Sequence, residues 1–235
     1  MAKKEREKIM LAEHLMEVRH VASGSFLDVR GYVADYIRNS GILPHWKIDA
    51  NVVTFRDMPD NIKLEGAFAG YKSAGYVVHN PETRNFFIDR ASTFWRKLIK
   101  NDHYTLPPAL RFGSRTKVFL PSEKSFEEIN KVAFETLYTQ KAQEIIGGKE
   151  TDLQLIINFM EGQFEARLAG GPVHENEVSN HLSFESEHFK RSGFFIDLDY
   201  YKTKDINHDV VPKLLKEAIE LTWIKVDKIA VTLGL

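Results

Sequence analysis

The sequence predicts an α+β protein in which long antiparallel strands wrap around two or three helices. Several segments alternate apolar and polar residues, which is typical of strands with one buried face. A few other segments carry apolar residues at helical spacing and begin with capping residues. The order is strand, helix and then several strands, and it occurs twice. The chain is therefore predicted to consist of two similar β-α-β-β halves that share one core.

Composition narrows the functional classes. The chain has 235 residues, 32 basic and 33 acidic side chains and no cysteine. Such a charge balance gives no overall attraction to nucleic acid or to anionic membranes, and a chain without cysteine has no disulfides and no thiolate chemistry. No run of eighteen apolar residues occurs, so no membrane span is predicted. We expect a cytoplasmic protein with neither nucleic-acid nor membrane partners.

The domain organisation is predicted to be simple. Residues 1–8 are charged and are expected to be disordered, and residues 9–235 are expected to form a single domain. Residues 9–22 predict the first strand, although a helix remains open because one face mixes leucine with charge. Residues 23–41 predict a helix with a near capping box at Ser25 and Asp28 and a left-handed C-cap at Gly41.

The rest of the first half is predicted to be mostly strand. Residues 46–57 predict a strand with a turn at Asp49–Asn51. Residues 62–88 predict strand, turn and strand, with favourable turn residues at Asn80–Thr83. Residues 89–100 fit a helix or a strand equally well.

The second half repeats this pattern. Residues 109–120 predict a strand, and residues 125–146 predict a helix that opens with a capping box formed by Ser125 and Glu128. Residues 152–171 predict a hairpin or one long bulged strand. Residues 181–201 predict one or two more strands, and residues 209–227 predict a closing helix with Pro212 in its first turn.

An internal duplication of residues 9–105 in residues 106–235 would explain the recurring order. Ser25 and Ser125 both open an "SF" helix start. The stretch "YKSAGYVV" is echoed by "FKRSGFFI", with identical residues only at the lysine and glycine positions. The alternative is that any α+β chain with capped helices shows such a pattern.

Three stretches and the closing amphipathic helix carry a resemblance to a known group. "EHLMEVRH", "LRFGSRTKVFLP" and "GFFIDLDYY" together resemble a group of uncharacterised prokaryotic hypothetical proteins of similar length. The chain departs from that group at "GSRTKV", where an aromatic residue and an asparagine would follow the first arginine. The group has no established activity, so the resemblance implies a fold and transfers no catalytic residue.

Two charged rows are the candidate ligand-binding residues. On the strand "GFFIDLDYY", Asp197 and Asp199 share the face opposite the apolar row, roughly 6.5–7 Å apart. On "ALRFGSRTKVFL", Arg111, Arg115 and Lys117 share a face. Adjacent strands would turn the two rows into cross-strand ion pairs, whereas separate strands would leave the arginines free to bind a phosphate or carboxylate.

A metal site is the alternative for this region. It would use His181 and Glu185 together with Asp197 and Asp199, although charged residues at alternate positions are also what a solvated surface requires. No phosphate-binding GxxxxGK[ST], dinucleotide-binding GxGxxG or GxSxG motif occurs, so no cofactor is predicted.

The favoured functional hypothesis is a non-enzymatic binding or interaction module. An open sheet with aromatic residues must be covered or charged, so self-association is expected, as is binding of an unidentified small molecule or protein. The alternative is a metal-assisted hydrolase of a phosphorylated small molecule. A third hypothesis is an interaction or defence component encoded beside a partner gene.

Overall fold

The computed structural model describes residues 10–175 and 177–235, so the segment 1–8, expected to be disordered, lies outside the described residues. The strands are β1 Leu11–His20, β2 His45–Ile48, β3 Val52–Arg56, β4 Glu65–Gly70, β5 Ser73–His79, β6 Ala109–Pro121, β7 Leu155–Glu161, β8 Phe164–Val173 and β9 Gly193–Lys202. The helices are α1 Ser25–Asn39, α2 Phe86–Leu98, α3 Phe126–Leu137, α4 Gln140–Ile146 and α5 Val211–Leu233.

All nine strands belong to one antiparallel sheet in the order β2-β3-β4-β5-β1-β6-β9-β8-β7. The buried residues of α1, α2, α3 and α5 form one hydrophobic core with the inward-facing residues of the strands. The α+β class is confirmed, with five helices in the described chain rather than two or three. The opposite sheet face, called here the open face, carries the charged rows.

Strand β1 resolves the first ambiguity of the sequence. Its core face is formed by alternate residues that are all buried, including His14, Met16 and Val18. The charge-bearing face, with Glu13 and Glu17, lies on the open side, which explains why leucine and charge are mixed there. Central strands have neighbours on both edges, and β1 pairs with β5 and β6.

The ends of α1 and α5 differ from the sequence prediction, and α2 settles a segment that the sequence left open. Helix α1 begins at Ser25 with Gly24 as its N-cap residue, so the expected Ser25 cap is not formed. Gly41 has the left-handed conformation expected of it, with φ 74°. Residues 89–100 are mainly helical, within α2 and its C-terminal end. Helix α5 continues beyond the predicted end at Asp227 to Leu233.

The predicted helix over residues 125–146 is two helices. The Ser125–Glu128 capping box is formed, as expected. The helix breaks because Tyr138 and Thr139 adopt extended backbone conformations, and the Thr139 hydroxyl then accepts a hydrogen bond from Ala142 N to begin α4.

The predicted hairpin at residues 152–171 is confirmed as β7 and β8, with a turn at Gly162 that has φ 59°. Residues 181–192, by contrast, form no strand. They belong to a connection with 3₁₀ turns at Val178–Asn180 and Glu187–Lys190. Leu182 and Phe189 are buried against the open face beside Phe119 and Phe195, so this segment covers the sheet instead of extending it.

The two halves are arranged about the centre of the sheet. In each half the first strand lies at the centre, next to the last strand of that half. Leu15 lies opposite Arg115 in the central β1–β6 pair, and these residues are 100 positions apart, as are Ser25 and Ser125. This arrangement supports the duplication, which stays a prediction.

The sequence echo that suggested the duplication does not follow the offset of 100 residues between the halves. Gly75 lies opposite Glu17 in β1. The residue 100 positions after Glu17 is Lys117, which lies opposite Asp197 in β9. A duplication with this offset would make Asp197 the counterpart of Gly75, and the match with Gly193 would be four residues out of register.

Candidate functional site

The two predicted charged rows lie side by side on the open face. Strands β6 and β9 are antiparallel neighbours, with Arg115 opposite Asp199 and Lys117 opposite Asp197. Their side chains point away from the helices because Phe194, Ile196, Leu198 and Tyr200 occupy the core face of β9. The structure therefore selects the cross-strand interpretation of these residues over separate strands.

Arg115 pairs diagonally rather than with its direct neighbour, and Arg111 pairs with Asp199, the residue directly opposite Arg115. Arg115 donates to Asp197 through Nε at 2.8 Å and through Nη2 at 2.5 Å. Arg111 Nη2 donates to Asp199 Oδ2 at 2.9 Å, and its guanidinium lies 4.8 Å from the centre of the Tyr201 ring. The hydrogen bond to Asp197 raises the pKa of Arg115, because the carboxylate stabilises the charged guanidinium.

Lys117 does not pair with either aspartate. Its Nζ lies 2.8 Å from Glu13 Oε1 on β1 and 2.8 Å from the His181 carbonyl oxygen. Glu13 Oε2 also accepts a hydrogen bond from Ser183 N at 2.7 Å. Burial raises the pKa of Glu13, but the bonds from Lys117 and Ser183 outweigh it and leave this pKa below its ordinary value. Glu13 thus holds residues 181–192, the covering segment, against the open face of the sheet. The sequence did not reveal this role.

Arg167 is a site residue that the sequence reasoning missed. It lies on the open face of β8, opposite Asp199 in β9 and Asn158 in β7. It is exposed, and among the described charged residues on the open faces of β1, β6, β8 and β9 it alone makes neither a hydrogen bond nor an ion pair. The alternation of "FEARLAG" could have placed it on this face.

A groove of about 640 Å³ lies between β8, the segment before β7 and the connection after β8. Arg115, Arg167 and Asp197 lie along it, together with His174 and His181. Its floor requires small residues, since a Cβ atom at Gly170 would lie 2.2 Å from the Phe195 carbonyl oxygen and one at Gly171 would lie 2.2 Å from the Leu153 carbonyl oxygen. The groove is therefore shaped by close backbone contacts.

The carboxylates in the groove already have hydrogen-bond donors. Asp197 accepts both bonds from Arg115, and Glu177 accepts one from His174 N at 3.1 Å. Asp152 accepts a bond from Leu153 N at 2.7 Å. Of the two arginines that line the groove, Arg167 is therefore the one without a carboxylate partner.

The residues of the metal alternative are only partly brought together. His181 stacks on Phe195 with ring centres 4.5 Å apart and lines the groove with Asp197. Glu185 is exposed in the covering segment and does not line the groove. Within residues 10–175 and 177–235, no group of three or more His, Asp or Glu side chains is arranged to hold a metal ion.

Comparison of the chain with protein-family models, curated proteins and solved structures gives no match. The resemblance to prokaryotic hypothetical proteins therefore stays a prediction. None of the helices in the described part of the chain combines the length and apolar character that a bilayer span requires.

Proposed function

We propose that this protein is a binding module that takes up a small anionic molecule, with a carboxylate or phosphate group held by Arg167 in the groove beside β8. The observation that carries this proposal is the unpaired guanidinium of Arg167, on a sheet face where the neighbouring charges are paired. A guanidinium has five N–H donors and matches both anions in bidentate geometry.

The shape of the groove supports a small-molecule ligand. Its volume of about 640 Å³ lies within the range of ordinary ligand pockets. Phe195 and the stacked His181 ring supply an apolar wall, and Asp197 keeps Arg115 in a fixed position at the edge of the groove. The ligand would thus contact the unpaired Arg167, the ion-paired Arg115 and the aromatic surface of the Phe195–His181 stack.

The hydrolase alternative receives less support from this geometry. It needs Asp197 and Asp199 as metal ligands, but both carboxylates are engaged by arginines. It also needs Arg111 and Arg115 for the phosphate, and these are the partners of the same carboxylates. A binding function uses the groove without breaking either ion pair.

Isothermal titration calorimetry with inorganic phosphate, succinate and citrate tests the proposal. We expect at least one of these anions to bind the wild-type protein. We expect Arg167→Gln to weaken that binding by about 10- to 100-fold, because a hydrogen bond to a charged group contributes about 1.5–3 kcal/mol. Binding of phosphate but not the carboxylates, or the reverse, identifies the anion class.

The matched control is Arg96→Gln, which removes an exposed arginine on α2, outside the groove. It should leave the binding constant unchanged. Absence of binding by all three anions, or equal binding by wild-type protein and Arg167→Gln, would contradict the proposal.

A further inference from the structure

The two edges of the sheet are protected to very different degrees. Edge strand β2 has only four residues, follows Pro44 directly and carries Lys47, which pairs with Asp49 at 2.9 Å. Short length, proline and lysine are features by which proteins prevent an edge from pairing with another chain. The β2 edge therefore carries features that oppose pairing with a further strand.

Edge strand β7 has none of these features. It has seven residues, and no charged residue occurs between Asp152 and Glu161. Three of its apolar side chains are exposed: Ile156 at 57%, Ile157 at 44% and Met160 at 70%. The charge of Glu161 is already paired with Lys225 Nζ at 2.6 Å. A seven-residue edge with exposed apolar side chains, whose one charged residue is already paired, is a template for one more strand.

The exposed side chains lie on both faces of the sheet. From the pairing with β8, Ile156, Asn158 and Met160 share the open face with Arg167, whereas Ile157 lies on the helix side with Leu168. A partner strand would therefore cover apolar surface above and below the edge. A loop or helix resting on one face would leave the other exposed.

We infer that β7 pairs with β7 of a second copy of this chain, antiparallel and centred on Asn158. Directly opposite residues of two antiparallel strands share a face of the sheet. The helices of both copies therefore lie on one side of a continuous sheet only if even-numbered residues of one β7 lie opposite even-numbered residues of the other. Centring on Asn158 is the register that pairs all seven residues.

The strand is self-complementary in this register. Ile156 lies opposite Met160 of the second copy, Ile157 opposite Phe159, and Asn158 opposite Asn158. These three kinds of pair are apolar–apolar or amide–amide, the outermost residues Leu155 and Glu161 lie opposite each other, and no like charges meet. A two-fold axis also closes the assembly at two copies, since each chain has one open edge of this kind.

The pairing would complete the groove. Ile156 lines the groove, and Met160 of the second copy would lie beside it at the rim. The second copy would thus add an apolar side chain to each anion site. The dimer does not depend on the anion function, because the edge is exposed whether or not a ligand binds.

Analytical ultracentrifugation of the full chain at micromolar concentration tests the inference. We expect the wild-type mass to be that of two chains. Ile156→Lys combined with Met160→Lys places like charges opposite each other and should raise the dimer dissociation constant by about tenfold or more. Ile156→Lys combined with Met160→Glu places opposite charges there and should retain the dimer.

The chain has no cysteine, so a single cysteine reports the register directly. Asn158→Cys should form a disulfide-linked dimer on mild oxidation, since directly opposite residues have Cβ atoms close to the spacing that a disulfide needs. Val231→Cys, at a 73% exposed position on α5, is the matched control and should remain monomeric on a denaturing gel.

A monomeric wild-type protein would overturn the inference and leave the β7 edge for a strand of another protein. A dimer that tolerates both lysines and does not cross-link through Asn158→Cys would also overturn it, because its interface would lie elsewhere.

Discussion

Arg115 and Asp197 are joined by two hydrogen bonds across the β6–β9 pair, although Asp199 is the residue directly opposite Arg115. This diagonal geometry leaves Asp199 to Arg111 and Lys117 to Glu13. The three ion pairs thus differ in geometry: Lys117 and Glu13 are directly opposite each other in the β1–β6 pair, whereas neither aspartate of β9 pairs with the residue directly opposite it. The Asp197 side chain is 11% exposed, compared with 27% for Asp199.

The Arg115–Asp197 pair is expected to stabilise the sheet more than the Arg111–Asp199 pair does. Asp197→Asn should lower the free energy of unfolding by about 1–3 kcal/mol, because it weakens a bidentate bond at a mostly buried position. Asp199→Asn should cost about 0.5–1 kcal/mol, since its single ion-pair bond is more exposed. Urea unfolding of both variants measures the difference, and equal losses would contradict the expectation.

The stability of the protein is expected to fall in mild acid because of His14. Burial lowers the pKa of His14 from 6.5 to about 3, since the core disfavours the charged imidazole. Below pH 6.5 the unfolded chain binds a proton that folded His14 does not. The neutral imidazole therefore contributes stability that is complete above pH 6.5 and is lost as the pH falls towards about 3.

This contribution has a slope of about 1.4 kcal/mol per pH unit once the pH is well below 6.5. His14→Gln should reduce the pH dependence of unfolding in this window. It should not abolish it, because burial also lowers the pKa of His20 and His79. Unfolding curves at several pH values test this, with His103→Gln, at an exposed position, as the control that keeps the full slope.

Two glycines are expected to respond to alanine in opposite directions. Gly171→Ala should destabilise the protein by about 1–3 kcal/mol, since its Cβ would be forced against the Leu153 carbonyl oxygen at the groove floor. Gly31→Ala should stabilise it by about 0.5–1 kcal/mol, because Gly31 lies in α1 with nothing within 4 Å of an added Cβ. Thermal unfolding of the two variants decides. A loss at Gly31 matching that at Gly171 would contradict the steric argument.

The two "SF" serines are expected to differ in their contribution to stability. The Ser125 hydroxyl accepts the Glu128 N–H at 3.3 Å, so Ser125→Ala should cost about 1 kcal/mol. The Ser25 hydroxyl contacts only Ser23 Oγ, at 2.8 Å, so Ser25→Ala should change the free energy of unfolding by less than about 0.5 kcal/mol. Chemical denaturation checks both, and comparable losses would show that Ser25 also caps its helix.

The local sequence pattern was sufficient to assign the faces of strands in which apolar and polar side chains alternate with a period of two. The alternation in β6 and β9 correctly assigned their faces, including the placement of Arg111, Arg115 and Lys117 together, whereas the mixed face of β1 left a helix open. The same rule failed at residues 181–192, where alternate apolar residues pack onto the sheet face without forming a strand. Alternation records which side chains are buried, and both arrangements bury them.

In the candidate site, too, some features follow from the local sequence and others depend on tertiary structure. The sequence by itself determined the helix cap at Ser125, the strand faces and the residues able to form ion pairs, because these follow from the fixed geometry of neighbouring residues. Only the tertiary structure decided that Lys117 pairs with Glu13, that Arg167 is left unpaired in a groove and that β7 is an edge. Strand order and register arise from contacts between distant segments, and a local period carries no information about which segments become neighbours.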